Sequence, residues 1–107
     1  MSGAVGWTGS EKRHARRLFD AALTAELEQT VAECKRRAAA ISTPDEMWDL
    51  EDFLRRHRLE IDRKYDYRYS QLVFVFGILL REGRIQEADL SVFSEDKVAT
   101  MRLLASL

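Results

Sequence analysis

Between Ser10 and Thr43 the chain contains neither glycine nor proline, and no other feature restricts its fold as much. Those two residues are the ones that most reliably interrupt a helix. Ala15, Leu18, Ala22, Ala25, Val31 and Ala32 recur through the stretch at helical spacing, with Leu27 and Cys34 beside them. Ser10 followed by Glu11 reads as a helix start. The spacing predicts one helix of roughly 30 residues, about 45 Å long at 1.5 Å per residue. A chain of 107 residues folded compactly on itself cannot cover a rod of that length. Part of the Ala-rich face is therefore left for a second copy, and small side chains let helices approach closely. A homodimer is expected from patterning alone, with Leu18, Ala22, Ala25 and Val31 in its seam.

Thr43-Pro44-Asp45-Glu46 is the clearest local signal. Thr43 caps a helix, Pro44 suits its first position, Glu46 reaches back to complete a capping box, and both acids favour the positive end of the helix dipole. A second helix begins here after a short connection, so it lies antiparallel to the first or sharply angled to it. Met47, Leu50, Leu54, Ile61 and Tyr65 form its apolar stripe. Met47, Leu50 and Leu54 join the expected seam, with Trp48 at its edge. The run Leu72 to Leu80 is apolar on every side. Its β-branched and aromatic content would suit a strand, but no second strand candidate exists to pair with it. Ser70 before it and Gly83 after it favour a buried helix. Ile85 to Leu90 reads as a short helix, and Ser94-Glu95-Asp96 caps a last one with Val98, Met101 and Leu104 inward. The expectation is an all-α chain. Residues 1–9 form a flexible tail, and 10–107 form one domain with a two-helix stem to about residue 65 and a helical head from about 66.

Composition removes several function classes. The formal net charge is −1 with 33% charged residues, which gives no global attraction to nucleic acid or membrane. The longest apolar run is too short to span a bilayer. The single cysteine, Cys34, excludes an internal disulfide and fits a reducing compartment. The N-terminus lacks the pattern of a secretory signal, so a cytoplasmic location is expected. The two histidines, His14 and His57, have no metal-ligand spacing with Cys34. Neither a phosphate-binding glycine loop nor a nucleophile–base set is present. No metal, no cofactor and no enzymatic activity are expected. Arginine clusters at Arg13 to Arg17, Lys35 to Arg37 and Arg55 to Arg58 leave nucleic-acid binding as a minor alternative, but each sits among acids, with Glu51–Arg55 and Asp52–Arg56 at i,i+4.

Trp48 has two readings, packing in a core or seam, or anchoring a partner among nearby charges. The stretch Asp62 to Ser70, dense in Tyr, Asp and Arg, reads as a helix junction whose rings cover the core.

The order Trp48-x-Leu50-x-Asp52-Phe53-Leu54, Arg58-x-Glu60-Ile61-Asp62-x-Lys64-Tyr65-Asp66-x-Arg68, Phe74-Val75-Phe76 and Leu79-Leu80-x-Glu82-Gly83 resembles the fluorescence recovery protein family, from about Ala15 to Leu107. The resemblance implies a homodimer of helical protomers that performs no bond chemistry. It implies binding to the C-terminal domain of the light-activated, red orange carotenoid protein, and acceleration of its return to the orange form. Carried over by position, it implies a partner patch with Trp48, Asp52 and Arg58 and the head position Phe74; Glu51, Arg55 and Thr100 complete the candidate partner set. Glu51 and Thr100 replace a histidine and a lysine of the family pattern. A second reading is therefore a dimeric module of the same fold with a different partner.

Overall fold

The computed structural model describes residues 6–107. It contains α1 (Gly9–Ala39), α2 (Pro44–Lys64), α3 (Tyr69–Arg81), a 3-10 turn (Glu87–Leu90) and α4 (Glu95–Ala105). The described residues contain no strand. The all-α expectation holds, and the Leu72–Leu80 run is a helix. The molecule measures 53 × 29 × 25 Å, and α1, about 46 Å long at 1.5 Å per residue, accounts for most of the long axis.

A complete capping box starts α1. The Thr8 hydroxyl accepts from the Glu11 N–H at 3.1 Å, and the Glu11 carboxylate accepts from the Thr8 N–H at 2.9 Å. The expected tail over residues 1–9 lies partly outside the described residues. Within them the chain is seated against the head: the Trp7 ring centroid lies 5.5 Å from that of Tyr69 and 5.9 Å from that of Phe93. At α2 the Thr43 hydroxyl caps the Glu46 N–H at 3.3 Å, but the Glu46 carboxylate turns to the hydroxyls of Ser42 and Thr43 rather than closing the box.

The core lies in the head. Leu72, Val75, Phe76 and Leu79 of α3 pack with Ile85, Leu90, Phe93, Val98 and Met101, and with Ala15, Phe19 and Ala22 of α1. The N-terminal half of α1 thus belongs to the head, which corrects the expected stem boundary. It also removes Ala22 from the expected seam, since Ala22 is buried inside its own protomer, while Leu18 is half-buried against the same core. The buried stripe is Glu11, Ala15, Phe19, Ala22, Glu26, a regular i, i+4, i+4, i+3, i+4 series. It is rotated from the stripe expected through Leu18 and Ala25 because Phe19, the largest side chain in that half, sets the facing.

Gly77 lets α3 and α4 touch: a Cβ there would lie 2.7 Å from the Cβ of Leu104. Gly83 (φ +75°) ends α3 in the left-handed conformation. The Arg84 N–H reaches the Leu79 carbonyl at 2.9 Å and the Gly83 N–H reaches that of Leu80 at 3.1 Å, the paired bonds of a Schellman motif. Between α2 and α3, residues 65–68 are not helical. Tyr65, Tyr67 and Tyr69 all pack against the head core. Phe19 meets Tyr65 and Tyr67 edge-on at 5.4 and 4.9 Å, and Arg16 stacks over Tyr67 at 3.6 Å.

Candidate interaction surface

Both helices of the stem expose apolar side chains, as the head does at Phe74, Val92, Leu103 and Leu107. Ile61 is the one buried residue of α2. The α1–α2 hairpin is otherwise closed by polar and aromatic contacts. The Thr30 hydroxyl donates to the Glu26 carbonyl at 3.0 Å, which leaves His57 Nε2 as the donor to that hydroxyl at 2.7 Å. Phe53 stacks on His57 at 5.7 Å, and the Arg37 guanidinium covers Phe53 at 3.8 Å.

The remaining apolar side chains face away from these contacts. Leu27 and Val31 of α1, and Met47 and Leu54 of α2, are all exposed. Val31, Cys34 and Leu54 line a groove of about 330 Å³ with Thr30 and Lys35 at its edge. At about 100° per residue, the Leu27–Val31–Cys34 stripe sits roughly a third of a turn from the Phe19–Ala22–Glu26 stripe that enters the head. One helix therefore carries two apolar faces of different azimuth, one in each half. Of the expected seam residues, the structure leaves Ala25, Val31, Met47, Trp48 and Leu54 exposed, Leu50 half-buried, and places Leu18 and Ala22 in the head.

The expected partner residues divide in two. Trp48, Glu51, Asp52, Arg55 and Arg58 are all exposed on α2, with Trp48 at 55%. Arg55 bridges Asp52 at 2.7 Å and Glu51 at 3.1 Å. Phe74 and Thr100 belong to the head. Phe74 is exposed on α3, whereas the half-buried Thr100 turns its hydroxyl to the Asp96 carbonyl of its own helix at 3.2 Å. Trp48 stands about 24 Å along the α2 axis from the head junction at Lys64, so one protomer holds two separate sets.

Two buried carboxylates, both absent from the sequence-based site, fix the head against α1. Glu11 accepts from the Ser94 N–H at 2.9 Å and from Lys97 Nζ at 3.2 Å, beside its own Thr8 N–H. Glu26 accepts from Lys64 Nζ at 2.9 Å and the Tyr65 hydroxyl at 2.7 Å, with Arg84 Nε at 3.1 Å. Burial pushes both carboxyl pKa values up. Backbone donors and Lys97 outweigh it at Glu11, and Lys64, Tyr65 and Arg84 outweigh it at Glu26, so both groups titrate below the ordinary carboxylate range. Desolvation and the Glu26 carboxylate push the Tyr65 hydroxyl upward. The i, i+4, i+4, i+3, i+4 spacing places both acids on the Ala15–Phe19–Ala22 face, a signal readable in the sequence once Phe19 is included.

The arginine clusters are paired only in part: among the described residues Arg16, Arg36, Arg37 and Arg55 form ion pairs, whereas Arg13, Arg17, Lys35, Arg56 and Arg58 form none. Arg16 meets Asp20, Arg36 and Arg37 meet Glu33, and Arg68 meets Asp66. Hydrogen bonds from Arg36 and Arg37 hold the Glu33 carboxyl down at about 2. No His/Cys/Asp/Glu group suited to a metal ion occurs among the described residues, and no described helix is long and apolar enough to cross a membrane.

This arrangement, a helical head with a two-helix stem, matches solved structures closely. The fluorescence recovery protein of Fremyella diplosiphon superposes with a TM-score of 0.91 at 33% identity, covering 95% of this chain and 100% of that one. The fluorescence recovery protein structure from Synechocystis sp. PCC 6803 gives a TM-score of 0.90 at 40% identity, covering 94% and 99%. In sequence, the curated Synechocystis fluorescence recovery protein is 40% identical over 101 residues, 94% of this chain and 93% of that protein. Residues 7–105 match the model of the family described as photoprotection regulator fluorescence recovery protein, and the chain belongs to that family.

Proposed function

We propose that this chain is a homodimeric, non-enzymatic regulator that binds the C-terminal domain of an orange carotenoid protein and accelerates its red-to-orange return, in the cytoplasm. The observation that carries the reading is Trp48. It is a large aromatic side chain, more than half exposed, beside the Asp52–Arg55 pair and exposed Arg58, outside the protomer's core. Aromatic and arginine side chains in that setting supply most of the energy at protein interfaces. The exposed Leu27, Val31, Met47 and Leu54 supply the self-association surface. At about 1.5–3 kcal/mol for full burial of such a side chain, covering a half-exposed one contributes roughly 1 kcal/mol.

Acceleration of a thermal return requires differential binding. A scaffold that holds two separated domains near each other stabilises the barrier to reclosure more than it stabilises the open form. Such a surface must also let go once the closed form is reached, which suits a patch of a few anchors within charged ground. The test is the dark recovery rate of purified red orange carotenoid protein with and without this protein. Acceleration that Trp48→Ala abolishes, with the dimer intact, supports the reading; no acceleration at excess protein rejects it.

The second reading, the same dimer with a different partner, rests on Glu51. Its bond to Arg55 at 3.1 Å gives the patch a carboxylate where the family pattern has a histidine. Capture from the source cell distinguishes the two: recovery of only a carotenoid protein removes this reading.

A further inference from the structure

Leu59 is half exposed, on the α2 surface opposite the stem contacts. We propose that Leu59 is a second apolar anchor of the partner-binding surface, on one line with Trp48; this rests on the function proposed above. Trp48, Asp52, Arg55 and Leu59 follow one another at i, i+4, i+7 and i+11, so they lie within about 40° of a single line along α2. All four are exposed. Phe53, His57 and Ile61, which close the hairpin or enter the core, lie on the other side of the helix.

The line has a definite chemical pattern. Its two ends are apolar, about 16 Å apart at 1.5 Å per residue. Between them lies the Asp52–Arg55 ion pair at 2.7 Å, with Glu51 also bound to Arg55. Arg56, Arg58, Glu60, Asp62 and Arg63 flank the line and are exposed. Isolated anchors among charged side chains are the composition of an interface that forms and dissolves. The other open face of the stem differs. There Val31, Cys34 and Leu54 line the groove, and Leu27 and Met47 add exposed apolar surface to the stem, as a lasting interface between two copies requires. The contrast assigns the second copy to the groove face and the carotenoid-binding partner to the Trp48–Leu59 line. The partner must then offer two apolar depressions about 16 Å apart with polar ground between them. Arg55, held by two acids, meets that ground already oriented, so little side-chain freedom is lost on docking.

The experiment measures the half-saturating concentration of this protein in the dark recovery of purified red orange carotenoid protein. It compares wild type, Leu59→Glu and Leu59→Met, with mass by light scattering and helicity by circular dichroism for each. The expected result is a half-saturating concentration raised about tenfold or more by Leu59→Glu, near-wild-type behaviour of Leu59→Met, and unchanged mass and helicity. Equal behaviour of Leu59→Glu and wild type overturns the inference while leaving the proposed function standing. A fall of Leu59→Glu to monomer mass overturns it by placing Leu59 in the dimer seam. Absence of acceleration by wild type removes the partner, and the inference falls with it.

Discussion

Removing the Glu26 carboxylate tests how the head is fixed to the stem. Its side chain is 6% exposed, against 15% for Lys64 and 25% for Arg84. Glu26→Ala leaves both cations and the Tyr65 hydroxyl without their shared acceptor. Breaking a fully buried ion pair costs about 3–5 kcal/mol. Two features lower that figure. Both cations keep some access to water, and both retain Glu82, at 2.8 Å from Lys64 and 3.0 Å from Arg84. Loss of the Tyr65 bond adds about 1 kcal/mol. The expected destabilisation is about 2–3 kcal/mol, a fall in Tm of roughly 10 °C or more for a domain of this size. Urea unfolding at fixed protomer concentration measures it. A variant within about 0.5 kcal/mol of wild type would refute the argument, showing that Glu82 alone satisfies the cluster.

Three further outcomes follow from the same geometry. Because the folded-state pKa values of Glu11 and Glu26 lie below the ordinary value of 4.5, the unfolded chain binds more protons in acid; their stabilisation is complete above about pH 4.5 and lost as pH falls through the folded values. Unfolding free energy should therefore drop below that pH, and Glu26→Gln should flatten the drop; an identical slope in the variant contradicts this. Val31→Glu, placed at the groove, should weaken self-association by about 2 kcal/mol or more over two copies, roughly 30-fold in Kd; an unchanged mass by light scattering at low concentration contradicts it. Gly77→Ala gains about 1 kcal/mol of helix propensity but places a Cβ 2.7 Å from that of Leu104, and the about 1–3 kcal/mol cost of overpacking should leave it less stable than wild type in a urea titration.

Much of this fold was legible because local rules and tertiary packing agreed. Thr43 and Pro44 mark α2 through side-chain and backbone chemistry that acts within one turn, and both hold in the structure. Gly83 marks the end of α3 for the same reason. Leu72 to Leu80 is harder, since its residues suit a strand, and the lack of a pairing partner together with Ser70 before it and Gly83 after it decides for a helix. The facing of α1 was misread. Periodicity weighted the alanines equally and passed over Phe19, so Leu18 and Ala22 were expected in the seam. A helix with two apolar faces in its two halves has no single stripe to find. Glu11 and Glu26 were missed because a carboxylate is read as solvated unless its partners are known, and those partners, Ser94, Lys97, Lys64, Tyr65 and Arg84, lie far away in sequence. Trp48 reads as a candidate anchor from its own residue type, whereas Arg58 enters as a candidate through the resemblance alone; helical spacing then sets Leu59 in line with Trp48 on α2, with Arg58 at the flank.

The division between head and stem has a consequence for where stability comes from. The head is closed by a contiguous apolar core and by two carboxylate clusters. The stem half of α2 contributes no buried side chain before Ile61. Its register on α1 depends on Thr30–His57 and on the Arg37–Phe53–His57 stack, contacts worth about 1 kcal/mol each. A helix of that length is marginal alone in water, so in the proposed dimer the order from Met47 to Arg58 draws on association of the groove face. Association stabilises by mass action, rising with the logarithm of protomer concentration. Amide exchange in that segment should therefore slow as protomer concentration rises across the dimer Kd, while exchange in α3, at the centre of the head, should change much less. Equal responses of the two segments would mean that stem and head unfold as one unit. In that case the proposed partner surface would be as rigid as the core, and its readiness to release would have to come from the docking contacts alone.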